Sequence, residues 1–242
     1  MINIVIPMAG VGSRFVKAGY TTPKPFIDVK GKPMIVRVME NLTYDDAKHY
    51  LIARKEHVEQ EPNVVEKIRN DYDTTFILID KLTEGMACTV LYARKYINND
   101  TPLLLANSDQ IVDISIADFI NDCFKRNLDG SIMTFIDPYK DTKWSFAKID
   151  EKGLVLEVRE KVAISEYATV GIYLYSKGRY FVDAAIDMMI ENDRVNNEFY
   201  TCPTYNYAIS NGCRIGIYNI KFEEMYGMGT PEDLNRYLEF IK

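Results

Sequence analysis

The first 136 residues alternate short, almost wholly apolar runs with stretches whose apolar residues recur at helical spacing. Few folds satisfy both patterns. The runs are Ile2–Pro7, His49–Ala53, Thr75–Asp80, Pro102–Ala106 and Ser131–Ile136, each rich in Ile, Leu, Val or Phe and bounded by turn residues. Between them lie Met34–Leu42, Val64–Asn70, Ala87–Ile97 and Ile116–Lys125. A strand with no polar face has to be covered on both sides, and an intervening helix returns the chain so that successive strands run parallel. The pattern predicts a doubly wound α/β sheet.

After Asp137 the texture changes. Ser145–Asp150, Leu154–Arg159 and Thr169–Tyr175 read as closely spaced strands, with Glu151-Lys152-Gly153 as a hairpin turn. Val182–Ile190 and Tyr205–Ile209 read as helices, Arg214–Ile220 as a strand and Pro231–Ile241 as a closing helix. Thr230 suits the N-cap of that helix, with Pro231 at its first position and Asp233 in its first turn. No linker, repeat or low-complexity stretch divides the 242 residues, so one domain is expected, less regular in its second half.

Composition excludes several function classes. Twenty-nine Lys and Arg against 35 Asp and Glu leave a net charge of −6, which argues against a general nucleic-acid binder. No apolar run is long enough for a membrane span, and MINIVIPMAG lacks the charged start of a signal peptide. Cys88, Cys123, Cys202 and Cys213 form no C-x-x-C pair, so reduced thiols in a cytoplasm are expected rather than a zinc or redox motif. His49 and His57 have no partners at nucleophile or metal spacing.

Ligands of open parallel sheets sit beyond the carboxyl ends of the strands. After the first strand comes Pro7-Met8-Ala9-Gly10-Val11-Gly12-Ser13-Arg14, whose glycines let backbone N–H groups approach an anion. Phe15 replaces the third glycine of a dinucleotide fingerprint, and no Gly-Lys-Ser/Thr closes a P-loop. Arg14 adds a guanidinium suited to phosphate. Prolines on both sides of Lys24 stiffen the loop that carries this ammonium, which can stabilise charge developing on a phosphoryl group. Asp109 follows the apolar run ending at Ala106, a position suited to Mg2+, which takes one or two carboxylates plus phosphate oxygens and water. Arg159-Glu160-Lys161 closes a later strand. The stretch from Phe199-Tyr200 to Tyr207 reads as core and rim, apart from Glu198 beside it.

In this order the segments resemble the nucleotidyltransferase family that activates sugar phosphates. The matching residues are Gly10-Val11-Gly12-Ser13-Arg14, Pro23-Lys24-Pro25, Lys32-Pro33-Met34-Ile35, Glu84-Gly85-Met86-Ala87, Ser108-Asp109, Glu160-Lys161, Ala168 to Tyr173, and Gly229-Thr230-Pro231. The resemblance covers nearly the whole chain. It implies a single-domain Rossmann-like, mostly parallel mixed sheet flanked by helices, with a nucleotide-binding part of about 1–136 and an acceptor-binding part of about 137–242.

The resemblance also implies site roles. Arg14, Lys24 and Asp109 would be catalytic. Met8, Ala9, Gly10, Gly12, Ser13, Arg14, Lys24, Glu84, Gly85, Ala87 and Ser108 would bind the nucleoside triphosphate. Ser145, Glu160, Lys161, Gly171 and Glu198 would bind a small phosphorylated acceptor, and Asp109, joined by Glu198 or with phosphate oxygens alone, would hold Mg2+. Two departures set the chain apart from hexose-1-phosphate enzymes: Gly227 stands where those carry a second metal-binding Asp, and Trp144-Ser145-Phe146-Ala147 stands where they have a sugar-contacting glycine. The short, Tyr-rich form resembles capsule-pathway cytidylyltransferases, which implies CTP and a phosphoglutamine-like acceptor. A hexose-1-phosphate uridylyl- or thymidylyltransferase, a glycosyltransferase with the same sheet and a silent nucleotide-binding subunit are the alternatives. Exposed edges in the second half leave room for a homodimer.

Overall fold

The computed structural model describes residues 1–241. Its first half runs β1 (Ile2–Pro7), α1 (Ser13–Lys17), a ribbon of β2 (Asp28–Val29) and β3 (Lys32–Pro33), then α2 (Met34–Asn41), β4 (Ala47–Arg54), α3 (Lys55–Gln60), α4 (Pro62–Asp71) and β5 (Thr74–Ile79). It continues through α5 (Met86–Val90), α6 (Arg94–Ile97), β6 (Leu103–Ala106), β7 (Gln110–Val112) and α7 (Ile116–Lys125). The second half holds β8 (Gly130–Ile136), β9 (Ser145–Ile149), β10 (Val155–Glu160), β11 (Tyr167–Tyr175), α8 (Gly178–Ile190), α9 (Thr204–Ser210), β12 (Ile215–Ile220), β13 (Met225–Gly227) and α10 (Pro231–Phe240).

One mixed nine-stranded sheet organises these elements, in the order β10-β9-β11-β6-β1-β4-β5, with β8 against β11 and β12 against β8. The strands β6, β1, β4 and β5 are parallel, whereas β11 lies antiparallel to β6 and to β8. The chain therefore has the Rossmann-like α/β architecture, with an antiparallel second half joined to a parallel first half.

Burial explains the strand pattern. In β1, Ile2, Ile4 and Ile6 enter one apolar layer with α2, α4, α7 and α10, while Val5 enters the other with α5, α6, α8 and α9. Two faces of one strand are thus both dry. Strand β5 departs from the expectation of cover on both sides: it is the sheet edge, mostly half-buried, and Leu78 is exposed. The helix expected over Ala87–Ile97 is interrupted by a tighter turn at Leu91–Ala93. Thr230 caps α10 as expected, its hydroxyl accepting from the Asp233 amide at 3.1 Å.

The Tyr-rich stretch supplies core. Tyr205 stacks on Tyr175 with centroids 4.5 Å apart, and both are fully buried. Burial pushes both hydroxyls above the usual phenol range, and Tyr205 donates to the carbonyls of Leu174 and Ser131. Cys123 and Cys202 are buried, Cys88 and Cys213 half-buried, and all four are free thiols. No described helix is long and apolar enough to cross a membrane.

Candidate active site

Strands β1 and β6 are neighbours and parallel, so the loops leaving their carboxyl ends emerge side by side. After Met8, whose amide still donates to Ile52, the chain leaves the sheet through Gly10 and Gly12. Among the described residues, the amides of Gly10, Val11 and Gly12 have no internal acceptor. Gly12 is left-handed (φ 66°), and a Cβ there would lie 3.1 Å from the Cβ of Lys24. The glycine thus admits the Pro-Lys-Pro loop, where Pro25 is buried at the start of a tight turn.

These segments frame a hollow of about 480 Å³ lined by Met8, Ala9, Gly10, Gly12, Lys24, Gly85, Ser108, Asp109 and Glu198, together with Met86, Thr83 and Asn107. The Lys24 ammonium donates to the Asp109 carboxylate, so a half-buried cation and a half-buried anion hold each other in the lining of this hollow. Asp109 is further braced by the ribbon of β7 and β13, since the Met228 amide donates to its carbonyl at 2.7 Å.

A second hollow of about 220 Å³ adjoins the first along Met86 and Asn107. Ser145, Glu160 and Gly171 line it, with Trp144, Lys143, Thr169, Tyr200 and Cys202. Gly171 is left-handed (φ 91°), and the Asn107 side chain fills the space its Cβ would need. There β11 breaks its pairing with β8, and the Asn107 amide donates to the Gly171 carbonyl at 3.2 Å. Glu160 is buried, accepts from the Ser145 hydroxyl, and burial pushes its carboxyl above the usual range.

The remaining expected residues stand around these hollows rather than in their lining. Ser13 and Arg14 are exposed on α1, which follows directly on the Gly-rich loop. Ala87 is buried beneath the first hollow, and Glu84 turns outward to Arg194 at 2.5 Å. Lys161 touches the second through Tyr200, its ammonium donating to the Tyr200 hydroxyl at 2.8 Å and sitting 4.7 Å from that ring's centroid. The bond to Tyr200 holds the Lys161 ammonium in its charged form to a higher pH than usual.

Tyr200 is the residue sequence reasoning passed over. Its neighbours Tyr205 and Tyr207 read equally as core, and no spacing rule separates them. The nearby Lys161, matched to an acceptor strand, was the usable signal.

The donor set also fits Mg2+. Asp109 and Glu198 face one hollow, and no three His, Cys, Asp or Glu side chains cluster among the described residues, so the chain offers carboxylates but no closed cage. Mg2+ bound through one or two carboxylates shares its remaining positions with phosphate oxygens and water. Gly227 pairs with Gln110, and a side chain there would approach the Gln110 amide. A Cβ at Gly229 would come within 3.1 Å of Asp109 Oδ2, so glycine keeps that flank open.

A family model for nucleotidyl transferases matches residues 4–209. The bifunctional protein GlmU of Methanococcus aeolicus is 25% identical over 176 residues, which cover 72% of this chain and 40% of that relative. The chain thus matches less than half the length of this curated relative. The nucleoside-diphosphate-sugar pyrophosphorylase from Vibrio cholerae superposes with a TM-score of 0.83 at 24% identity, covering 98% of this chain and 99% of that one. The inositol-1-phosphate CTP transferase from T. maritima gives 0.77 at 14% identity, covering 100% and 95%. At these identities the two structures speak to the fold.

Proposed function

The chain belongs to the nucleotidyl transferase family, and we propose that it transfers the cytidylyl group of CTP to a small, phosphoglutamine-like phosphorylated acceptor, releasing pyrophosphate. The observation that supports this is the pair of adjoining hollows that meet at Met86 and Asn107. One has free amides, Lys24 and two carboxylates; the other has Trp144, Tyr200 and the buried Glu160. Two substrates seated there would face each other across one divide, which is the arrangement a direct displacement needs.

An acceptor phosphate is ionised near neutral pH and needs no general base. Its oxygen forms a bond to the α-phosphorus while the bond from that phosphorus to the bridging oxygen breaks, and pyrophosphate leaves with the electron pair. The Gly10–Gly12 amides cradle the triphosphate, and Arg14 reaches its outer phosphates from the rim. Lys24 exchanges Asp109 for the α-phosphate and offsets the negative charge that builds there. Lys161, held by Tyr200, steadies the acceptor phosphate. Asp109 with Glu198 would hold Mg2+, which when bound neutralises phosphate charge.

A hexose 1-phosphate acceptor is the second reading, favoured by the sugar-nucleotide enzyme among the matched structures. One assay separates them: pyrophosphate release with CTP, UTP, dTTP, ATP and GTP, each crossed with phosphorylated amino acids, polyol phosphates and hexose 1-phosphates. Turnover with CTP and a non-sugar phosphate is expected. Turnover confined to a hexose 1-phosphate replaces the acceptor, and no turnover with any pair removes the enzymatic reading.

A further inference from the structure

The two hollows share more than a wall. Residues 84–87, beside the first, and residues 194–202, which reach both, are zipped into one piece. The Phe199 amide donates to the Glu84 carbonyl at 2.8 Å, and the Ala87 amide donates to the Phe199 carbonyl at 3.0 Å. Gly85 (φ 131°) makes this possible, because a Cβ there would overlap the Phe199 backbone. Phe199 is buried with Ala87 and Met188 in a small apolar cluster of its own.

Arg194 closes the piece from outside. Its guanidinium lies 4.1 Å from the centroid of the Phe199 ring, its Nη2 donates to Glu84 at 2.5 Å and its Nη1 to the Asn197 carbonyl at 3.3 Å. A planar fork can stack and bond in two directions at once, which an ammonium cannot. The hairpin it grips is tight: Val195 and Glu198 exchange backbone bonds, with Asn196 and Asn197 both left-handed.

From this clasp a continuous line of contacts crosses to the acceptor side. Gly85, Met86 and Glu198 line the first hollow, while Tyr200 lines the second. Tyr200 holds the Lys161 ammonium, and the Lys161 amide donates to the Trp144 carbonyl at 3.1 Å. Lys161 itself is left-handed (φ 57°), a conformation costly for a residue with a Cβ and one that its contacts have to maintain.

We propose that Arg194 is a positioning residue that couples the two hollows: nucleotide binding against Gly85 and Met86 is transmitted through the Arg194-clasped Phe199 to Tyr200, Lys161 and Trp144, setting the acceptor site. This rests on the nucleotidyl transfer reading. The coupling is a free-energy link between two sites and needs a measured response at one on filling the other.

Trp144 is the only tryptophan in the chain and lies in the second hollow, so its emission reports that hollow when CTP fills the first. CTP with Mg2+ is titrated by calorimetry and, in parallel, by Trp144 fluorescence, on the full chain and on Arg194→Ala, Arg194→Lys and Tyr200→Phe, with melting curves to verify folding. In the unmodified protein Trp144 responds to CTP. In Arg194→Ala and Tyr200→Phe the heat of CTP binding persists, while the Trp144 response falls to about half or less. Arg194→Lys keeps the charge but not the stacked fork, and does not restore the response. If Arg194→Ala does not fold, Tyr200→Phe alone decides the matter, since it removes one hydroxyl and keeps the ring. CTP binding without a Trp144 response, or an undiminished response in folded Arg194→Ala or Tyr200→Phe, overturns the coupling and leaves the functional reading standing. Absence of calorimetric binding with CTP and the four other triphosphates overturns both.

Discussion

Among single side chains, Lys24 and His49 make separable predictions, one about chemistry and one about stability. Lys24 is held by Asp109 and faces the first hollow. If its main contact forms as charge builds on the α-phosphate, Lys24→Ala lowers kcat and kcat/KM together, by about a hundredfold. Steady-state kinetics in the productive substrate pair check this; a rise in KM alone would make Lys24 a binding residue instead. His49 belongs to stability rather than chemistry. Its ring is buried in β4, its Nε2 has no partner, and burial pushes its pKa down to about 4. The unfolded chain takes up the proton near pH 6.5, whereas the folded chain resists it until about pH 4. The neutral ring's contribution is therefore complete above about pH 6.5 and is lost as pH falls toward 4, on the order of 3 kcal/mol in all. Urea denaturation at about pH 7.5 and about pH 4.5 checks it: His49→Leu should shrink the difference between the two pH values by roughly that amount.

At the scale of elements, sheet edges decide behaviour. The outer edge of β10 would expose unpaired backbone groups, a template for unwanted pairing. Asn206 of α9 covers it: its side-chain amide donates to the Val158 carbonyl at 3.0 Å and accepts the Val158 amide at 2.8 Å. Asn206→Leu should cost about 1–3 kcal/mol of stability and raise self-association. Denaturation and light scattering measure the two effects, and an unchanged value in both would show that the edge needs no such cover. This edge also limits what a homodimer could use, because the Val158 groups are already occupied. The β4, β5, β6 and β8 termini differ by a residue or two from the sequence expectation, and β7 was not expected at all, since an apolar run marks a strand's middle and hydrogen bonds mark its ends.

For the molecule as a whole, the position of β11 is decisive. The parallel first half leaves one side of β6 unpaired, and β11, from residues 167–175, fills it while also pairing with β8. A fragment ending at Ile136 would lose this cover and half of the apolar layer built by α8 and α9. We expect it not to fold alone, with circular dichroism showing no cooperative melt, while the full chain melts in one step. A cooperative melt of the fragment would divide the chain into two units.

Much of this was legible in the amino-acid sequence. The dry runs Ile2–Pro7 and Pro102–Ala106 require cover on both faces, which forces helices onto both sides of a sheet; Gly10 and Gly12 mark a loop at a strand end, and Pro23-Lys24-Pro25 a stiffened loop, by backbone chemistry alone. Those properties are local, set by which dihedral angles and which neighbours a residue tolerates. Other features depended on residues far apart in sequence. Tyr200 sits beside Lys161 and Asn206 against Val158, while Arg194 reaches Glu84 across 110 residues. Tyr200 and Tyr205 have similar local surroundings in sequence, yet one lines a hollow and the other fills the core. The sequence by itself determined the layered sheet, its dry strands and the loops that could meet an anion, because periodicity and backbone tolerance act within a few residues. Only the tertiary structure decided which side chains share a hollow and how the two hollows are tied together, because that follows from the packing of distant segments.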